Sequence, residues 1–384
     1  MSDLTGLRPS PLEVAAGRMF GELAGAAGIG EADDGRATPL AALEAVIMPA
    51  LERPPCLVSF SGGRDSSSVL AAATRAAARE GLEPPVPVTL RLRGAPMAEE
   101  AEWQELVVRH LGLRDWERRE AGDEMERLGP FSVSVLRRHG VLYPPNTFIQ
   151  IPMFEAARGG TLLSGFGGDE LFATWRWRNH ADALARRRRA EALDALRIAY
   201  AASPRALRTW REGRRPRLGE LVWLRPEAAR EASRLETEAR ARQPRSWSRW
   251  VDWFARRRSM CSSQWSLSLL AADAGATLIH PLLEPGFLAA LARAGGHLGF
   301  GDRTAAMRAI FGDMLPDELL TRGTKARYSE VLWGRGSREF AERWSGRPTD
   351  PLVDADVLRR EWLKPAPQED SAMLLHAAWL AEDG

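Results

Sequence analysis

The sequence is poor in the features that secreted and membrane proteins require. It has only two cysteines, Cys56 and Cys261, too few for a disulfide scaffold, and its first residues lack the basic stretch and apolar run of a secretory signal. No apolar run approaches the roughly 20 residues of a transmembrane helix. Internal repeats, heptad arrays and low-complexity linkers are also missing from the sequence. We therefore expect a cytoplasmic protein that makes no use of a membrane.

Lysine is almost absent as well. The chain has 53 lysines and arginines against 51 acidic residues, and Lys325 and Lys364 are its only lysines. The formal net charge of +2 excludes a polycation built to bind nucleic acid, so no nucleic-acid partner is expected. With 45% hydrophobic and 27% charged residues over 384 positions, the chain is long enough for a globular protein of two domains, or for one domain with a large insertion.

Apolar runs alternate with helical patterns in the first half of the chain. The run that starts at Cys56 ends in a glycine turn and leads to a helix for which Gly81 is placed as a stop signal. Similar runs occupy Val86–Leu92 and the segment TLLSGFGGDELF from Thr161. This alternation predicts an α/β fold with a parallel sheet.

We divide the chain into four regions. Two helices, over Leu12–Ala27 and Pro39–Leu51, are predicted in an N-terminal helical appendage at 1–50. The α/β core follows at 51–180. The pattern then predicts an arginine-rich helical insertion at 181–258 and a C-terminal helical part at 259–384.

The glycine turn after the first strand has the composition of an anion site. Residues Ser61–Ser67 read SGGRDSS and lie between a buried strand and a helix, where glycines and backbone N–H groups can surround a phosphate. Asp65 fits such a turn if it holds Mg²⁺ that bridges phosphates. The alternative interpretation is an ordinary strand–helix turn with a polar N-cap.

Several motifs together resemble one known family. SFSGGRDSS resembles the pyrophosphate loop, SGGxDSS, of the ATP-pyrophosphatase superfamily, and LLSGFGGDELF at Leu162–Phe172 resembles the SGxGxDELF segment of the asparagine synthetase synthetase domain. HPLLE at His280–Glu284 is similar to the family's Pro-aromatic-Leu-Asp element. Arg303–Lys325 resembles the closing region that ends in a catalytic lysine. The resemblance covers residues 39–340 and implies a twisted parallel sheet flanked by helices, of the adenine nucleotide alpha-hydrolase type, with an additional helical subdomain.

The resemblance implies an ATP- and Mg²⁺-dependent ligase. A carboxylate would attack the α-phosphorus of ATP to give an acyl adenylate and pyrophosphate, and an amine would then displace AMP to form an amide. Carried over by position, Asp65 and Asp169 would hold Mg²⁺ and act in catalysis with Lys325, whose alternative is a solvated surface lysine. The ATP-binding residues would be Ser61, Gly62, Gly63, Asp65, Ser66, Ser67, Gly165 and Gly167, with Leu90 and Leu92 as adenine contacts or ordinary core.

Three departures from the family pattern bear on the substrate. Residue 2 is Ser2 and not the glutaminase cysteine, so no glutamine hydrolysis is expected, and the nitrogen would come from free ammonia, a substrate amine or a separate ammonia-supplying subunit. Phe166 stands where asparagine synthetases carry Glu and β-lactam-forming relatives carry Tyr, and a phenyl ring cannot take up a proton. Trp175 and Trp177, which alternate with arginines, predict either a rim for the acceptor or packing of the inserted helices.

Four functions follow from these observations. The first is an amide-forming ligase of asparagine synthetase type, with a small-molecule or peptide carboxylate and an amine donor as substrates. The others are a macrolactam or β-lactam cyclase for peptides or natural products, a pyrophosphate-loop enzyme that modifies RNA through the basic region around Arg186–Arg189, and a non-catalytic nucleotide-binding partner protein.

Overall fold

The computed structural model describes residues 4–32, 35–93, 100–173, 175–185, 187, 196, 199–200, 203–213, 221–323, 332–346 and 351–384. Its centre is a five-stranded sheet in which every pairing between neighbouring strands is parallel. The strands are β1 (Cys56–Ser59), β2 (Val86–Leu92), β3 (Glu117–Ala121), β4 (Thr161–Ser164) and β5 (Thr277–Ile279), in the order β3-β2-β1-β4-β5. This confirms the predicted fold class.

Helices cover the sheet and extend well beyond it. Those described are α1 (Pro11–Ala16), α2 (Pro39–Leu51), α3 (Arg64–Glu80), α4 (Ala101–His110), α5 (Pro130–His139), α6 (Ile151–Ala156), α7 (Gly168–Ala173), α8 (Arg178–Leu184), α9 (Arg205–Gly213), α10 (Pro226–Arg242), α11 (Trp247–Ala255), α12 (Arg258–Asp273), α13 (Pro285–Gly295), α14 (Arg303–Phe311), α15 (Asp317–Leu320), α16 (Arg335–Arg343), α17 (Ala355–Trp362) and α18 (Ala372–Glu382).

The chain enters the sheet at its middle strand and then builds outward in both directions. From β1 it proceeds to β2 and β3 on one side, and β4 and β5 complete the other side. The order of strands therefore reverses between β1 and β4, which pair in register from Cys56 opposite Thr161 to Ser59 opposite Ser164. In open α/β sheets such a switch point, at the carboxyl ends of the strands, is where ligands bind.

Adjacent residues of the central strands point to opposite faces of the sheet and enter two different cores. Val58 and Leu163 belong to the core that contains α2, α3 and α13, whereas Leu57 and Leu162 belong to the core with α6 and α12. Because both faces are covered, these strands read as continuous apolar runs. That pattern is what made them visible in the sequence.

Two predicted elements were wrong in extent or type. The first helix ends at Ala16 and not at Ala27, because Gly17 adopts φ 68° and its N–H bonds back to the carbonyls of Glu13 and Val14. The C-terminal part at 259–384 is predicted as helical, but Thr277–Ile279, which lies between two of its predicted helical segments, forms the edge strand β5. By contrast, α2 and β2 have the predicted bounds, and Gly81 caps α3 at φ 67°.

A third core joins distant parts of the chain. Ala15, Ala16 and Phe20 from the N-terminal region pack there with Trp223 from the region between α9 and α10 and with aromatic residues of the C-terminal part. Trp223 is fully buried, and its indole N–H donates to the carbonyl of Ala15 at 2.8 Å. The N-terminal region therefore contacts both the insertion and the C-terminal part. The four-region division itself stays a prediction.

Candidate active site

The loops after β1 and β4 open at the same edge of the sheet. After β1, Ser66 ties the turn together: its hydroxyl accepts from the Ser61 N–H at 3.2 Å, lies 3.1 Å from the Ser61 hydroxyl and donates to the Gly63 carbonyl at 3.1 Å. Gly62 takes φ 82°, a conformation that favours glycine. Two hydroxyls therefore lie beside the N-terminus of the 17-residue helix α3. Hydroxyls and the N–H groups of a helix N-terminus are the donors that bind a phosphate.

Asp65 and Asp169, predicted from separate motifs, lie next to each other. Asp65 is in the first turn of α3 and Asp169 in the first turn of α7. Arg303, the first residue of α14, bonds to both: its Nη2 is 2.7 Å from Asp65 Oδ2, and its Nη1 pairs with Asp169 Oδ1. The expected convergence of the two carboxylates is therefore observed, whereas their metal-binding and catalytic roles stay predictions.

The two loops can approach because glycines line the contact. A Cβ on Gly168 would lie 2.4 Å from Asp65 Cγ, and a Cβ on Gly165 would lie 2.5 Å from the Ser66 nitrogen. Gly167, at φ 91°, is packed against the Leu283 side chain. Of the predicted ATP-binding residues, Gly165 and Gly167 thus have a visible steric function. Gly168, the position at which a Cβ would displace the Asp65 carboxylate, was not among the predicted residues.

Burial dominates the electrostatics of this pair. It raises the pKa of Asp65 to about 6; the Arg303 guanidinium opposes the shift and the nearby Asp169 carboxylate adds to it. Asp65 Oδ1 is buried and has no hydrogen-bond partner among the described residues. A buried carboxylate oxygen without a partner has a free ligand position.

These residues fit Mg²⁺ bound together with ATP. In the part of the chain that the structure describes, no group of three or more His, Cys, Asp or Glu side chains could hold a metal ion. Mg²⁺ in nucleotide sites is typically held by one or two carboxylates, with phosphates and water completing its shell. Asp65 and Asp169 could supply those two carboxylates.

A cavity of about 620 Å³ opens beside the aspartates, a volume within the range of small-molecule sites. Of the predicted site residues, those that line it are Ser61, Gly63, Asp65, Ser66, Leu90, Leu92, Gly165 and Asp169. Gly62, Ser67 and Gly167 are not in its wall. Lys325 lies outside the described residues.

Arginine side chains connect the turn at Ser61–Ser67 to the C-terminal part. The buried Arg322 donates from Nη1 to the Gly62 carbonyl at 3.1 Å, forms an ion pair with Glu100 and stacks over Trp103 at 5.0 Å. Arg64 donates to the Leu320 carbonyl at 3.2 Å. Because these contacts hold the turn from both sides, its shape depends on residues more than 200 positions away in sequence.

Phe166 faces a histidine that our sequence analysis had placed only in the HPLLE motif. The rings of Phe166 and His280 are 5.1 Å apart, and His280 Nδ1 is 2.6 Å from the Ser164 hydroxyl. Burial lowers the pKa of His280 to about 4, so its imidazole is neutral near pH 7. All three residues line the cavity. Phe166, which stands where asparagine synthetases carry Glu, is therefore next to a neutral imidazole.

Three features of the site have no counterpart in the predicted residues: Arg303, Arg322 and the His280–Ser164 pair. The chain contains more than fifty lysines and arginines, almost all of them arginine, and no local pattern separates Arg303 from the others. The only usable signal was its position at the start of a helix with Asp302 as N-cap, where Asp302 accepts from the Ala305 N–H at 2.8 Å.

Trp175 and Trp177 pack the inserted helices and do not form an acceptor rim. Both are buried in the same core as α3 and α11, and their indole N–H groups donate to the carbonyls of Pro244 and Gln243. Arg176 pairs with the buried Glu212 at 2.8 Å. Of the two interpretations, packing is the one observed.

The family assignment rests on a comparison made with the whole sequence. The model of the asparagine synthase family matches residues 42–381, so this chain belongs to the asparagine synthase family. The match extends beyond the predicted limit at residue 340, into α18. No curated protein matches the chain. Enzymes of the family use ATP, typically with Mg²⁺. No helix in the described ranges has the length and apolar character to span a bilayer.

Proposed function

We propose that this chain activates a carboxylate with ATP as an acyl adenylate, releases pyrophosphate and forms an amide with ammonia or an amine. Membership of the family supports an ATP-dependent ligase of asparagine synthase type in general. The adenylate route is our more specific claim. One observation carries it: Asp65 and Asp169, from two different loops, meet at the cavity that also contains the Ser61–Ser66 turn.

The bond changes of the first step define what the site must do. A carboxylate oxygen of the substrate bonds to the α-phosphorus, and the bond from that phosphorus to the bridging oxygen of the β-phosphate breaks. The Ser61–Ser66 turn would hold the leaving pyrophosphate with its hydroxyls and N–H groups. Asp65 and Asp169 would hold Mg²⁺, which supplies charge neutralisation for the phosphates when it is bound. Arg303 keeps the two carboxylates together.

In the second step the amine nitrogen bonds to the acyl carbon, and the bond from that carbon to the AMP oxygen breaks. The amine loses one proton to solvent or to AMP. Phe166 cannot accept that proton, and the neutral His280 has a pKa near 4 that makes it a weak base at pH 7. Position 166 therefore offers no proton acceptor, and the imidazole next to it is a base no stronger than an ordinary carboxylate.

The paired arginines of α10 do not favour the RNA-modifying alternative; of the basic run Arg186–Arg189 that suggested it, only residue 187 is among the described residues. Arg234 pairs with Glu231 and Glu238, and Arg240 pairs with Glu236, on the exposed face of α10. Cations that are neutralised within their own helix add little attraction for phosphates.

The proposal is tested by isotope exchange between ATP and pyrophosphate, because this partial reaction needs no knowledge of the amine. The protein is screened with Mg²⁺ and a panel of amino acids, dicarboxylic acids and acidic peptides. Exchange that depends on one acid class supports the adenylate route, and Asp65→Asn should abolish it. Asp313→Asn, at an exposed position after α14, is the matched control and should keep the exchange. Absence of exchange with every acid would reject the proposal and favour the non-catalytic alternative.

A further inference from the structure

A second cavity adjoins the predicted ATP site at Phe166. Its volume is about 370 Å³, and it shares Pro144 and Phe166 with the first cavity. Its walls come from five parts of the chain: the segment after α1, the loop before α6, the loop after β4 with α7, helix α10 of the insertion and the start of α12. The N-terminal region and the insertion, which the family motifs do not explain, therefore meet at the edge of the active site.

The charged residues of this second cavity are almost all paired. Arg18 bonds to Asp370 at 2.6 Å and pairs with Glu236 at 3.5 Å, and Glu236 also accepts from Arg240 at 2.7 Å. Glu170, next to Asp169 in the chain, also lines the cavity. Arg18 and Glu236 each therefore have partners of opposite charge within the protein.

Arg257 differs from them. Its guanidinium lies over the Trp253 ring at 5.3 Å, but no described residue provides it with a hydrogen bond or a carboxylate within salt-bridge distance. Burial lowers its pKa, which shows that its charge is held at a cost. The hydroxyl of Tyr143, in the same wall, likewise has no hydrogen-bond partner among the described residues, and burial raises its pKa, so it remains a donor. Both groups can only satisfy their donors with an acceptor from outside the protein or with water.

We propose that Arg257 and Tyr143 bind a carboxylate of the organic substrate, one that is not the carboxylate being activated. A planar guanidinium with one hydroxyl matches a singly charged carboxylate. The nearby Glu170 and Glu236 side chains disfavour a doubly charged phosphate and allow an ammonium on the same molecule. The ligand is therefore an acid of amino-acid or peptide type that spans from the second cavity past Phe166 to the first. This inference rests on the proposed function for the identity of the ligand as a substrate.

The first test measures binding and does not depend on turnover. With α,β-methylene-ATP and Mg²⁺ present to fill the nucleotide site, thermal unfolding is followed with increasing glutarate or with its neutral counterpart glutaramide. Glutarate should raise the Tm of the unsubstituted protein, since a ligand that binds only the folded state stabilises it. The Tm shift should disappear in Arg257→Gln and shrink in Tyr143→Phe. Glutaramide should cause no shift.

Arg256→Gln is the matched control. Arg256 is adjacent in sequence, but its side chain pairs with Asp252 and Glu22 and does not line the second cavity. It should keep the full glutarate shift. Arg257→Lys retains the positive charge but not the planar guanidinium, and it should give an intermediate Tm shift. Such a result would show that the loss in Arg257→Gln is not caused by a folding defect. An equal glutarate shift in the Arg257→Gln and unsubstituted proteins would overturn the proposal.

The second test uses ATP–pyrophosphate exchange with acid pairs that differ in one group, such as a dicarboxylic acid and its monomethyl ester. The unsubstituted protein should prefer the acid with the free second carboxylate. Arg257→Gln should raise the KM for that acid about 10- to 100-fold, the loss expected for a charged hydrogen bond, with kcat within about threefold. Equal KM values for acid and ester in the unsubstituted protein would overturn the proposal.

The two tests separate the two claims. If no acid supports exchange but glutarate binding still depends on Arg257, the ligase proposal fails and the anion site stands. If exchange occurs and neither the KM nor the Tm shift depends on Arg257, the anion site fails and the ligase proposal stands.

Discussion

Arg303 connects Asp65 and Asp169 through the two ends of one guanidinium, with Nη2 at 2.7 Å from Asp65 Oδ2 and Nη1 on Asp169 Oδ1. The three side chains come from α3, α7 and α14, so this contact joins both halves of the chain at the switch point of the sheet. Without Arg303, two carboxylates would face each other in a largely buried place. Arg303 thus stabilises the two carboxylates next to each other when neither a cation nor a nucleotide is bound.

Arg303→Gln should therefore lower ATP–pyrophosphate exchange about 100-fold, the loss typical of a group that stabilises charge at a reacting centre. Arg303→Lys should retain part of the activity, because one ammonium can neutralise charge but cannot bond to both aspartates in the same way. Arg308→Gln is the control on the same helix, since Arg308 pairs with the exposed Asp317. Full exchange in Arg303→Gln would show that the bridge has no part in activity.

Gly168→Ala tests whether close packing of the loops positions Asp65. The new Cβ would lie 2.4 Å from Asp65 Cγ, so the carboxylate must move. A displacement of about 1 Å can cost about 100-fold in rate, and we expect a fall of that order in exchange with little change in Tm. Gly286→Ala is the matched control, because nothing lies within 4 Å of its added Cβ in the first turn of α13. A Gly168→Ala protein with unchanged kcat and KM would contradict this explanation.

The parts of the fold that were predictable are those where local pattern and tertiary position agree. Strands β1 and β4 are buried by helices on both faces, and their apolar runs show this directly. Strand β3, Glu117–Ala121, has the sequence ERREA and lies at the sheet edge with mostly exposed side chains, so no apolar pattern marks it. Strand β5 has only three residues, Thr277–Ile279, too few to show a period of two. For Glu117–Ala121, pairing with β2, and not propensity, makes the segment a strand.

In the candidate site, too, some residues were predictable from a local sequence pattern and others were not. Asp65 and Asp169 were predicted because each lies in a glycine-rich loop after a strand, and strand order then brings the loops together. Arg303, on α14, lies 238 positions after its partner Asp65, and Arg322, after the end of α15, lies 260 positions after its partner Gly62. A local sequence pattern contains no information on such contacts, and in an arginine-rich chain composition adds none.

Arg322→Gln should destabilise the protein strongly. Arg322 and Glu100 are both buried and form an ion pair, so removing the cation leaves a carboxylate in a poorly solvated place, a change that typically costs about 3–5 kcal/mol. The double variant Glu100→Gln/Arg322→Gln should recover part of the loss, because the buried carboxylate is removed together with the guanidinium. Urea unfolding measures both. Arg335→Gln, which removes an exposed i,i+4 pair with Glu339, is the control for loss of a surface arginine. Equal unfolding midpoints for Arg322→Gln and Arg335→Gln would contradict the assignment.

His376 predicts a loss of stability in mild acid. Its ring is buried, Nε2 lies 3.0 Å from the Arg127 carbonyl, and burial, with the Arg127 guanidinium adding to it, lowers the pKa of His376 to about 3. In the unfolded chain a histidine takes up its proton near pH 6.5. Between these two values the unfolded state binds more protons than the folded state, so the free energy of unfolding falls as the pH drops, by at most about 1.4 kcal/mol per pH unit from this residue.

His376→Asn should therefore unfold at lower urea concentration at pH 7 but lose less stability between pH 6.5 and pH 4.5 than the unsubstituted protein. The buried His280, whose pKa is lowered to about 4, would still contribute to the acid loss in this variant. His297→Asn, at an exposed position, is the control and should follow the unsubstituted protein at each pH. Urea midpoints at four pH values, with two-dimensional NMR of the His376 ring, give the measurement. An acid slope that is the same with and without His376 would mean that its ring takes up its proton equally in both states, against the burial that the structure shows.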